Sequence, residues 1–186
     1  MKEKLLVFKE DNYSLKRTIS ILILLMVIGG VFGFIYEELF YKIDLGYFVK
    51  RGSTYGPWIP IYAVGSLLIV LITYTYKNKP YLIFIINTIL TGLLEFFTGL
   101  FLHKIFNLRL WDYNKEILNF GNINGYICLR SILFFGISSL FLIYVIIPIL
   151  KKITKNLKDK NLFIISLIFG LLFLFDIIIY IIINYL

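Results

Sequence analysis

Apolar residues along this chain fall into five long runs, separated by short polar stretches, with little strict alternation. The runs cover about 19–40, 59–76, 81–102, 129–150 and 162–184. Each approaches the roughly 20 apolar residues that a helix needs to cross a hydrocarbon core about 30 Å thick. Barrel strands would alternate apolar and polar residues, which these runs do not. A segment facing lipid must also close its backbone hydrogen bonds internally, and that favours helices. The pattern predicts an all-α integral membrane bundle of about five transmembrane helices.

Composition agrees. The chain is 60% hydrophobic and 16% charged, against about 45–50% and 25% in soluble domains. Too few charges remain to coat a soluble surface. The first apolar run is too long for a signal-peptide core and lacks an A-x-A site, so it is expected to stay as an anchor.

The net charge of +8 sits in the connectors, where Lys and Arg set orientation. No free basic helix with interleaved aromatics offers a phosphate grip, so membrane lipid and not nucleic acid is the expected surrounding. Twelve Lys and Arg lie in the amino-terminal tail, in 77–80 and in 151–161; seven lie in the other connectors and at Arg130. The first set therefore faces the cytoplasm, with the N-terminus cytoplasmic and the C-terminus external. This divides the chain into a basic tail (1–18), a four-span core (19–150) with outer loops 41–58 and 103–128, a basic cytoplasmic loop (151–161) and a fifth helix (162–186).

Ionisable groups within spans are costly, about 2.5–3.5 kcal/mol at mid-bilayer on insertion scales, and normally face protein or water. The candidates are Glu37, Glu38, Glu95, Arg130 and Asp176, all of similar depth. Glu38 and His103 fit snorkelling ends. Glu95 and Asp176 lie a turn or more inside and read as buried anchors. Gly29, Gly33 and Glu37 share one stripe, and Gly92, Glu95 and Gly99 another. Small residues permit close helix approach, so both glutamates are expected to face the bundle. Arg130 either neutralises one of them and fixes register or belongs to a substrate or ion path. Asp176, Tyr180 and Asn184 share a face of the fifth span.

Catalytic signatures are missing. No Walker A sequence, H-E-x-x-H, nucleophile elbow or dinucleotide fingerprint occurs. The single cysteine, Cys128, excludes an internal disulfide and a cysteine metal cluster, and His103 has no second ligand at metal spacing. No catalytic residue, metal or cofactor is expected. An enzyme using Glu95 or Asp112 as acid–base would lack an evident nucleophile.

The segment "RGSTYGPWIPIY" (51–62) is unusually particular for a connector. Pro57 and Pro60 suit the first turn of a helix, Gly52 and Gly56 a tight re-entry, and the aromatics an interfacial belt. It reads as a shaped outer cap over the polar groups. With "GFIYEELFY" (33–41), "LLEFFTG" (93–99), "LRLWDY" (108–113), "NGYICLRS" (124–131) and "YVIIP" (144–148), it resembles the bacterial putative ABC-transporter type IV family over about 19–150.

That resemblance carries the family's motif positions onto Glu37, Arg51, Gly52, Gly56, Pro57, Pro60, Ile61, Tyr62, Glu95, Trp111, Asp112, Tyr113, Asn124, Gly125, Cys128 and Leu129. Departures fall at Lys50, Ala63, His103 and Leu110, and the stretch between Asp112 and Gly125 is lengthened. With His103 where the family carries an acid, a role needing two acids on the third span does not transfer. The resemblance implies a permease-like or substrate-binding membrane component of the bacterial cytoplasmic membrane. Such a component needs a separate cytoplasmic ATPase and either further membrane subunits or self-association as a homo-oligomer. The competing expectation is a sensor, assembly factor or envelope regulator that binds a partner through its outer loops.

Overall fold

The computed structural model describes residues 6–185, so Lys2 and Lys4 of the basic tail, and the side chain of Lys9, lie outside the described residues. Five helices form the bundle: α1 (Leu15–Leu45), α2 (Pro60–Thr73), α3 (Pro80–Phe106), α4 (Leu129–Thr154) and α5 (Asp159–Tyr185). Among the described residues there is no strand. Four of the described helices are long and apolar enough to cross a membrane.

The exception is α2. Even with the 3-10 turn Tyr74–Tyr76, it is only about 25 Å long at 1.5 Å per residue, short of a 30 Å core. Its start explains this. The Ile59 amide donates to the carbonyl of Gly30 at 3.0 Å, and Gly30 is the midpoint of α1. Residues 46–59 therefore do not simply cap the bundle, as the sequence suggests. They turn at Gly46 (φ 84°) and descend as non-helical chain along the upper half of α1. Only then does Pro60, whose missing N–H is harmless in a first turn, open α2.

Helices pair as α1 with α2, α3 with α4, and α5 against α1. Glycines set the close approaches: a Cβ on Gly29 would lie 1.8 Å from the Ser66 hydroxyl, and one on Gly33 2.1 Å from the Tyr62 ring. Such contacts substitute for the hydrophobic effect, which does not drive association between helices in lipid. A packed core of Ile21, Leu25, Val70, Ile83, Ile147 and Leu162 fills the lower half. Within α4 a π-turn, Leu142–Ile146, precedes Pro148, whose ring cannot complete an α-helical ladder.

The lower end is clasped by ions. Arg17 pairs with Asp159 at 2.9 Å and donates to the carbonyls of Thr154 and Leu157, so it caps the end of α4 and ties it to α5. Lys151 bonds Asp11 and the Tyr74 hydroxyl. These two cations count toward orientation in the sequence, but they also hold the tail, α2, α4 and α5 together.

Candidate functional site

Six elements converge on one polar cluster near the upper end, under the loops 46–59 and 107–128. α1 supplies Glu37 and Tyr41, the descending segment Arg51, α2 Tyr62, α3 Glu95, loop 107–128 Tyr113 and Glu116, and α4 Arg130 and Ser131. They surround a cavity of about 30 Å³, room for about two waters and too small for an organic solute.

Each of the two arginines pairs with one carboxylate and lies over aromatic rings, Tyr41 for Arg51 and Phe40 and Tyr113 for Arg130. Arg51 Nε lies 3.1 Å from Glu37, its guanidinium 3.9 Å from the centre of the Tyr41 ring, and its backbone amide donates to Glu38 at 3.0 Å. Arg130 lies 2.5 Å from Glu116 and 3.8 Å from the centre of the Phe40 ring. Tyr41 bonds the other oxygen of Glu116. Arg130 therefore neutralises neither Glu37 nor Glu95, the partners the sequence suggests; its partner comes from loop 107–128. Burial pulls the Arg51 guanidinium down, but Glu37, together with Tyr41 and Glu116, holds the group above its ordinary value.

Glu95 stands apart. It is only 4% exposed, and its partners are the hydroxyls of Tyr113 and Ser131, the latter at 2.8 Å. Burial pushes the Tyr113 phenol well above its ordinary value, and the neighbouring carboxyl adds to this.

The other motif residues build the frame. Asp112 accepts from the Asn114 amide and from Arg109, and the Tyr113 amide donates to the Gly125 carbonyl. The indole of Trp111 donates to the Tyr126 carbonyl. Asn124 (φ 53°) and Gly125 (φ 77°) are both left-handed. A Cβ on Gly125 would lie 2.3 Å from an Asp112 oxygen, which requires glycine there. Together these contacts hold Tyr113 over Glu95. The Asp112 carboxylate is taken up by Arg109 and Asn114 of its own loop.

The segment 51–59 also has an anchor far away in sequence. Asp176 on α5 accepts from the backbone amides of Tyr55 and Gly56, at 3.0 and 2.8 Å, and from the Trp58 indole at 2.6 Å. The Thr54 hydroxyl donates to the Trp58 carbonyl at 2.5 Å. Non-helical backbone at membrane depth needs such partners. The rest of that α5 face meets the same loop: Tyr180 packs on Tyr55 and Asn184 donates to its hydroxyl. Gly52 (φ 88°) fits beside Ile59, and Gly56 beside the Trp58 ring. Pro57 is exposed at the turn, while Pro60 starts α2.

A profile of the putative ABC-transporter type IV family matches residues 24–181. The chain belongs to that family. The match reaches most of α5, further than the motifs that end near 150. The matched span covers Asp176 as well as the residues of the cluster. No curated protein and no solved structure matches the chain.

Reading residue types alone missed Tyr41, Glu116 and Ser131. A signal for Glu116 existed: Arg130 opens α4 and needs an acid, and Glu116 is a carboxylate of the facing loop 107–128. Tyr41 lies one helical turn beyond Glu37, on the same side of α1.

Proposed function

We propose that this protein is the permease-like membrane component of an ABC transport system of the bacterial cytoplasmic membrane, working with a separate ATPase. Its substrate-facing site is the cluster of Glu37, Arg51, Glu95 and Arg130. The carrying observation is the non-helical segment 51–59, which joins the cluster through Arg51 and runs from it to the midpoint of α1 at Ile59. Transporters commonly place sites where helices are interrupted and unwound backbone lines a cavity. The 30 Å³ cavity then corresponds to a closed state, opened by movement of the descending segment and α2.

The Lys and Arg distribution supports a cytoplasmic lower end and outer loops 41–58 and 103–128. Arg17 and Lys151 are engaged internally, so exposed Lys152, Lys155, Lys158 and Lys160 offer the surface for an ATPase. Further membrane subunits or a second copy would complete the pathway, because five helices enclose little volume.

A second reading, an envelope sensor or assembly factor, draws support from loop 107–128. Its frame is internally bonded, and it exposes Ile117, Leu118, Phe120 and Ile123. Purification of the full chain from its native membrane in mild detergent separates the two. An ABC ATPase among the co-purifying proteins supports transport. A chain that emerges without any ATPase, in cells whose growth depends on no solute through it, sinks that reading.

A further inference from the structure

We propose that Glu95 is a proton-binding site, protonated in the resting protein and donating that proton to Ser131. The geometry carries the assignment. Ser131 Oγ lies 2.8 Å from Glu95 Oε2, 2.8 Å from the Cys128 carbonyl and 3.3 Å from the Cys128 amide. A hydroxyl has one proton and two acceptor positions, so it cannot donate to both oxygens. A proton on Glu95 completes the set. Glu95 donates to Ser131, Ser131 donates to the Cys128 carbonyl, and the Cys128 amide fills the remaining acceptor position. The other oxygen of Glu95 accepts from Tyr113. With Glu95 ionised, a buried carboxylate would face only neutral hydroxyls, an arrangement that low-dielectric surroundings penalise heavily.

The neighbours leave no cation for it. Glu37 from α1 is held by Arg51 of the descending segment, and Glu116 of the outer loop by Arg130 of α4. Tyr62 of α2 and Tyr113 of the loop face Glu95 as neutral phenols, and Cys128 lies behind Ser131. Two arginines against Glu37 and Glu116 balance, so a proton on Glu95 keeps the cavity neutral. Its release creates an uncompensated negative charge under the outer loops. The site is independent of the transport reading, since a sensor would use the same group.

Infrared spectroscopy of the purified full chain at neutral pH tests this. The wild type is expected to show a protonated-carboxyl C=O band that shifts in D2O. Glu95→Gln, whose amide can donate to Ser131 and accept from Tyr113, is expected to fold and to lose the band. Tyr113→Phe removes a bond accepted by that carbonyl, so the band should persist at higher frequency. A wild type without the band, a band that survives Glu95→Gln, or a band unmoved by Tyr113→Phe overturns the proposal. A failure of Glu95→Gln to fold leaves the wild-type and Tyr113→Phe measurements decisive.

Discussion

Asp176 decides whether the descending segment is held as described. A lone carboxylate on a lipid-exposed helix would be a burden, and Asp176→Ala should then stabilise the protein by about 2.5–3.5 kcal/mol. The contacts predict the opposite sign. Asp176 accepts three donors. Tyr55 is exposed, so its amide can find water after truncation. The amide of Gly56 and the indole of Trp58 are less able to. At about 1–3 kcal/mol for each stranded donor, Asp176→Ala costs roughly 2–6 kcal/mol. In Asp176→Asn the remaining oxygen can turn to the position that serves Gly56 and Trp58, so only the Tyr55 bond is lost, at about 1 kcal/mol. Equilibrium unfolding in detergent, followed by tryptophan fluorescence because Trp58 reports on the contact itself, measures both variants. An alanine variant as stable as wild type, or more stable, refutes the anchoring role.

Further outcomes follow from the contacts and from the proposed orientation. Arg51→Gln leaves Glu37 without its cation and should cost about 3–5 kcal/mol; Glu37→Gln in the same chain should restore much of it, and an additive double-mutant cycle contradicts the pairing. Because the folded Tyr113 phenol stands above its ordinary value, it is protonated in both states below about pH 10 and its contribution to stability is lost only above that. Alkaline destabilisation should therefore be smaller in Tyr113→Phe, and an unchanged alkaline limb argues against the buried phenol. Cys128 is fully buried, so maleimide should not label it in the native chain. Lys115→Cys in intact cells should react with an impermeant maleimide and Lys158→Cys should not; the reverse pattern inverts the orientation.

The helices were legible because apolar length alone demands them, and the glycine stripes correctly placed close packing on α1 and α3. Both glutamates on those stripes face the bundle, with Glu37 at Arg51 and Glu95 at Tyr113 and Ser131. The depth of 51–59 was not legible. Its partners are Gly30, behind it on α1, and Asp176, more than a hundred residues ahead. Local pattern reports periodicity and turn chemistry, and neither encodes which distant carboxylate will satisfy a turn. The pairing of Arg130 with Glu116 was hidden for a related reason. Glu116 sits in a polar loop that reads as solvent-facing, yet the Asp112–Gly125 frame folds it inward. Several motif positions therefore serve geometry: Asp112, Asn124 and Gly125 shape the loop, and Tyr113 carries that shape to the cluster.

The ATPase rate of the complex drawn from its own membrane tests the transport account most directly. The account predicts that an ABC ATPase co-purifies with the chain, and that Arg51→Gln, at the cluster and far from the basic lower end, changes its hydrolysis rate severalfold while the two proteins stay associated. Absence of any ATPase, or a hydrolysis rate indifferent to Arg51→Gln in a folded and associated complex, would contradict it.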